Sequence, residues 1–111
     1  QDKVIEVITR LPFDNPKDPF YQKIESLFSK QGKSTFDSYS LPMMVLRFKQ
    51  AIGRAQRRPE QRSAILLMDN RPLVKSYGKL FIKEVSQEVT LRHAPFKQIK
   101  EDIQEFLEKE C

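Results

Sequence analysis

Two spacings of apolar residue recur along the chain, one of strand type and one of helix type. Lys3–Thr9 (KVIEVIT) is short and rich in β-branched residues, which predicts a strand. LPFDNPKDPF follows, with prolines at 12, 16 and 19, and reads as a loop with fixed turns. Pro19 suits the first turn of a helix over about 20–30, where Phe20, Ile24, Leu27 and Phe28 share one face. Gly32 in QGKST ends that helix as a C-terminal glycine. A second helix is predicted from near Pro42 to about Arg57, stopped by Pro59. Ser63–Asp69 (SAILLMD) is a continuous apolar run of strand length, the kind buried on both faces in a parallel sheet. NRP then turns the chain into a third helix over about 74–85. A last helix covers about 96–109, with Phe96, Ile99, Ile103, Phe106 and Leu107 along one side.

Strand, helices, buried strand, helices is an α/β order. A length of 111 residues without repeat, low-complexity tract or dividing linker suits one domain. Two strands are few for a parallel sheet, so further strands are expected from sequence outside these residues. The start at Gln1 rather than methionine gives the same expectation, a piece of a longer protein.

Composition narrows the function classes only a little. Hydrophobic residues make up 39% and charged residues 32%, which supports a modest core and excludes a disordered or fibrous chain. The formal charge of +5 points to a polyanionic partner, although surplus lysine on a solvated surface gives the same figure. Cys111 stands alone, so no internal disulfide exists, and no cysteine or histidine cluster has metal-ligand spacing. His93 reads as an ordinary loop residue. These counts fit a reducing cytoplasm. No apolar run approaches the roughly 20 residues of a membrane span, and no signal peptide is visible.

The stretch QAIGRAQRR, residues 50–58, changes the picture most. At about 100° per residue, Met44, Phe48, Ala51, Ile52 and Ala55 fall on one side of the second helix. Arg47, Gln50, Arg54 and Arg57 fall together nearly opposite, with Gly53 beside them. Glycine there costs roughly 1 kcal/mol relative to alanine, a cost that makes sense where a ligand or another backbone comes close. A solvated basic face explains the pattern too. Yet arginines in a row repel one another, and guanidinium groups bind phosphate oxygens in pairs without losing charge. A triphosphate or a nucleic-acid backbone therefore suits the row better.

The order of motifs resembles the C-terminal part of the second motor lobe of DinG/XPD-type superfamily 2 helicases, with the bacterial DinG type the nearer match. LPFDNPKDP (Leu11–Pro19) is similar to the family's LPF-x-x-P segment after a strand. LPMMVLRFKQAIGRAQR (Leu41–Arg57) resembles its motif VI, built around Q-x-x-G-R-x-x-R. AILLMDNR (Ala64–Arg71) matches its strand ending in D-x-R, and KSYGKLF (Lys75–Phe81) its following K-x-Y-G-K segment. Where the family often carries Asp-x-Gly before the buried strand, this chain has PEQRS.

The resemblance implies a RecA-like three-layer α/β lobe with a mostly parallel sheet, of which residues 3–85 are family-like and 86–111 a helical extension. It implies an ATP site between two lobes, with ATP and Mg²⁺ held mainly by residues of the first lobe. Gln50 would lie at the nucleotide edge, Gly53 would let the helix approach, and Arg54 and Arg57 would sense phosphate, with Arg57 as the finger. Arg71, Lys75 and Lys79 would help hold single-stranded DNA, although Asp69 and Arg71 could equally tie the strand end to the next helix. The expected partners are the first helicase lobe of the same protein and single-stranded DNA, in the cytoplasm.

Gly32–Lys33–Ser34–Thr35 imitates the end of a Walker A loop, but position 27 is leucine and a helix precedes it where a strand is required. It is read as a plain loop. No acidic motif for Mg²⁺ is present, so at most one side of an ATP site is here and the segment alone should not hydrolyse ATP. The alternative is a non-enzymatic basic module that binds nucleic acid through its arginine row.

Overall fold

The computed structural model describes residues 3–56 and 62–109. Strand β1 (Lys3–Ile8) lies parallel to β2 (Arg62–Leu67), in register from Lys3 opposite Arg62 to Ile8 opposite Leu67. Met68 N–H donates to Ile8 O at 2.9 Å and carries the ladder one step further. Between the strands run α1 (Pro19–Lys30) and α2 (Leu41–Ala55), and after β2 come α3 (Arg71–Val74), α4 (Gly78–Val85) and α5 (Phe96–Glu108). This is the helix-rich α/β arrangement of part of a RecA-like lobe.

Local chemistry sets the ends of α1. Pro19 occupies its first turn, and the Asp18 carboxylate accepts from Phe20 N–H at 2.9 Å, satisfying one of the amides a helix start leaves unpaired. At the other end Gly32 adopts φ 69°, Gly32 N–H donates to Ser29 O and Lys33 N–H reaches back to Phe28 O, both at 3.0 Å. That paired closure needs a left-handed residue, which glycine supplies without a Cβ clash. The GKST stretch is thus a helix stop and a short loop over 32–34, with Thr35 already entering the next helical segment.

Two elements differ from the sequence expectation. The second helix does not begin at Pro42: a π-helical turn over Phe36–Ser40 runs straight into α2, and Leu41 N–H donates five residues back to Phe36 O. Pro42 has no N–H and its ring crowds the carbonyl four residues earlier, so a widened turn is the economical way through. The third helix, expected over about 74–85, is split into α3 and α4 by a turn at 75–77. Gly78 is the reason, because a Cβ on it would stand 1.9 Å from Pro72 O. The two short helices meet backbone to backbone there.

The core joins α2 to α4 and to one face of the sheet. Leu41, Met44, Val45, Phe48, Ile52, Phe81 and Val85 are buried together with Leu11 of the loop. Ile8, Ile65 and Leu67 pack against them from the sheet. Phe48 and Phe81 meet edge to face with centroids 5.0 Å apart. The sheet's other face is less covered. Val7 is exposed, and Ser63–Leu67 are only half-buried where burial on both faces was expected. The apolar face of α1 is likewise open at Phe20 and Leu27. Helix α5 buries no residue fully; its C-terminal end lies by the start of the sheet, where Lys3 Nζ donates to Phe106 O at 2.8 Å and sits 5.8 Å from the Phe106 ring centroid.

Candidate functional site

Helix α2 separates its faces as the spacing predicts. Met44, Phe48, Ala51, Ile52 and Ala55 are buried, while Gln50, Gly53 and Arg54 are exposed on the far side. Nothing lies within 4 Å of a Cβ built on Gly53, so the described residues leave that flank open. Arg57 lies outside the described residues.

Arg47 departs from the row. Its guanidinium is half-buried, pairs with Asp14 at 3.1 Å and donates to Pro12 O at 3.2 Å. It anchors the loop rather than facing outward. Its spacing with Gln50 and Arg54 is real, but a helical wheel carries no information about a carboxylate from another segment. Asp14, beside LPF in the sequence, is the signal that was available.

The second group of residues is built on the carboxyl end of β2. Asp69, its side chain 8% exposed, accepts from Arg71 Nε at 2.8 Å and from Arg71 Nη2 at 2.5 Å. It also accepts from Leu11 N–H at 2.9 Å and Arg71 N–H at 3.0 Å. The Arg71 hydrogen bond is the main cause that holds this carboxyl well below the usual range, with burial opposing it and the two backbone amides assisting. Arg71 is pushed up in turn, first by the same bond. Its guanidinium also lies 5.2 Å from the Phe13 ring centroid. Phe13, Phe36 and Tyr77 form an aromatic cluster with centroids 5.4–5.8 Å apart, and burial raises the Tyr77 phenol.

One set of contacts thus joins LPF, D-x-R and K-x-Y-G-K of this chain. Leu11 supplies a buried side chain and an amide, Asp69 and Arg71 the charged clasp, and Phe13 and Tyr77 the ring contact. Gly78 admits the Pro72 carbonyl. Arg71 therefore has a structural bond, whereas Lys75 and Lys79 are exposed on the adjoining turn and helix start and make no ion pair among the described residues. An open cleft at the carboxyl ends of both strands is lined by Thr9, Arg10, Met68, Asp69, Asn70 and Arg71. Arg10 was not singled out by the sequence; its place just past β1 was the available clue.

The chemistry of the exposed α2 face is that of a guanidinium beside a neutral amide. Exposed guanidinium and amide N–H groups fit phosphate oxygens. Among the described residues no group of three His, Cys, Asp or Glu could hold a metal ion.

Comparison with known proteins agrees with the motif order. Residues 3–88 match the model of the helicase C-terminal domain family. The chain is 40% identical over 76 residues to the 3'-5' exonuclease DinG of Bacillus subtilis, covering 68% of this chain and 8% of that protein. It is 33% identical over 76 residues to the ATP-dependent DNA helicase YoaA of Escherichia coli, covering 68% of this chain and 12% of that one. With a 3'-5' exonuclease DinG of Staphylococcus aureus it shares 36% over 100 residues, 90% of this chain and 10% of that protein. A match of that length in a chain of 111 must run past residue 88, so part of the tail is shared with this relative as well. The chain spans about a tenth of the length of these relatives. No solved structure matches it significantly. The chain belongs to the helicase C-terminal domain family, as a DinG-type member.

Proposed function

We propose that this chain is the C-terminal part of the second motor lobe of an ATP-dependent DNA helicase, with residues 3–85 in the lobe and 86–111 forming a helical extension. The carrying observation is the two-faced α2: its apolar side is locked in the core while Gln50, Gly53 and Arg54 stand outward from a fixed helix. A guanidinium on such a helix can be aimed at a phosphate without reorganising at the moment of reaction. Arg54 and Arg57 approach the γ-phosphate of ATP bound to the first lobe, Arg57 acting as the finger, and Gln50 meets the nucleotide edge. Gly53 keeps the helix slim where the other lobe closes.

Bound Mg²⁺ supplies charge neutralisation between the phosphates. Its ligands would belong to the first lobe, since the exposed face of α2 carries no carboxylate. Arg71, Lys75 and Lys79 line the single-stranded DNA path, with Arg71 fixed by Asp69 and the two lysines reaching the backbone. The helicase reading carries with it a place in the cytoplasm; separately, no helix among the described residues is long and apolar enough to cross a membrane. The name of the Bacillus subtilis relative favours a second form of this reading, in which the motor feeds an exonuclease unit of the same protein.

The test is Arg54→Ala in the full-length protein. ATP binding should persist while single-stranded-DNA-stimulated turnover collapses; undiminished turnover refutes the assignment.

A further inference from the structure

The loop Leu11–Asp14 faces two ways, residue by residue. Leu11 N–H bonds Asp69 and Phe13 packs on Arg71 and Tyr77. Pro12 O and the Asp14 carboxylate both turn to Arg47. Arg47 sits on α2 one turn before Gln50 and two before Arg54, and Tyr77 lies between Lys75 and Lys79. One short loop thus joins the helix that carries the phosphate-facing groups to the turn that carries the lysines.

The Asp14–Arg47 contact is poorly replaceable. The Asp14 side chain is 14% exposed, and its second oxygen, Oδ2, is buried without a hydrogen-bond partner among the described residues. If Arg47 moved away, the whole carboxylate would lose its compensation in a dry place. Arg47 in turn is the fork that grips Asp14 and Pro12 O together, a geometry lysine cannot reproduce. The loop therefore adds a second hold on α2 to that of the core, and the loop is itself held by the Asp69–Arg71–Tyr77 clasp.

The geometry points to Asp14 and Arg47 as positioning residues that couple strand occupancy at Lys75 and Lys79 to ATP turnover at the Arg54 end of α2. This rests on the functional reading above. A strand that draws on the 75–79 turn shifts Tyr77 against Phe13, and the displacement reaches α2 through Asp14.

The experiment is Asp14→Asn in the full-length protein, which keeps the shape and removes the ion pair. We measure kcat with and without a saturating oligothymidylate strand, KM for ATP, affinity for the strand and the thermal midpoint. The ratio of stimulated to unstimulated kcat should fall by about fivefold or more, the lower end of ordinary coupling between sites. Unstimulated kcat, KM and strand affinity should hold, with the thermal midpoint lowered by no more than the loss of one ion pair. Arg47→Lys should lower the same ratio by an independent route, and it carries the test if Asp14→Asn fails to fold. An unchanged ratio in both variants overturns the inference. So does a loss of unstimulated kcat and thermal midpoint in step with the ratio, the signature of a merely structural pair. If the unsubstituted protein shows no stimulation at all, the functional reading fails and this inference with it. Stimulation that survives both variants but is lost in Arg54→Ala overturns the inference alone.

Discussion

Gly78→Ala and Gly53→Ala are the same chemical change in two helices, and the structure predicts opposite signs. At Gly78 the added methyl would stand 1.9 Å from Pro72 O and 2.7 Å from Pro72 C, both backbone atoms that no rotamer change can move. Helices α3 and α4 would have to part by about 1 Å or more, at a cost near the upper end of the roughly 1–3 kcal/mol of overpacking. Alanine returns up to about 1 kcal/mol by restricting the unfolded chain, which leaves a net loss of about 2 kcal/mol. At Gly53 nothing stands within 4 Å, so only the helix-propensity gain of up to about 1 kcal/mol remains. Hydrogen exchange in the full-length protein reads both. Amides of 71–85 should lose about 30-fold protection in Gly78→Ala, and amides of 41–55 should gain severalfold in Gly53→Ala, at about tenfold per 1.4 kcal/mol. Gly53→Ala should nonetheless slow ATP turnover, because the proposed function has the other lobe close on this flank. Undiminished protection in Gly78→Ala would refute the backbone contact. Full turnover in Gly53→Ala would refute the approach.

Two other perturbations separate fold from binding. Asp69 has a folded-state pKa held below its ordinary value of 3.8, so its contribution is full at neutral pH, fades as pH falls through that value, and is gone once pH drops below the folded value. Asp69→Asn should therefore cost about 2 kcal/mol at pH 7, the scale of charged hydrogen bonds, with a gap from the unsubstituted protein that narrows toward pH 3; a urea titration that finds the gap widening would contradict this. Lys75→Ala with Lys79→Ala should leave folding intact and flatten the dependence of single-stranded DNA affinity on salt by roughly 1 to 1.5 on the log–log scale; an unchanged slope in a binding titration would remove both lysines from the strand path.

Much of the fold was legible because its signals act within a turn or two. Pro19 and Gly32 marked the ends of α1 from local sequence, and the apolar spacing of α2 survives unchanged in the core. What escaped depends on distant partners. The break at 75–77 follows from the Pro72 carbonyl meeting Gly78, and the π-helical turn from Pro42 crowding a carbonyl already in helix. SAILLMD promised two covered faces, yet only the side bearing Ile65 and Leu67 meets α2. At the site, residue type and spacing located Gln50, Gly53 and Arg54 on one exposed flank. They misplaced Arg47, because Asp14 meets it only through the tertiary path of the LPFD loop. A structural role for Asp69 and Arg71 at the strand end was one of two readings the sequence left open; the Leu11 amide that completes the clasp was not legible.

The central claim is that α2 delivers an arginine to a phosphate held by another lobe. Its most direct test is single-stranded-DNA-stimulated ATP hydrolysis by the full-length protein, compared with Arg57→Ala under conditions where ATP binding is measured separately. ATP should still bind while turnover falls by something like the 10³–10⁵ of arginine fingers. Hydrolysis that is absent from the unsubstituted protein, or unaltered by the substitution, would contradict the claim and leave the arginines to nucleic acid or solvent.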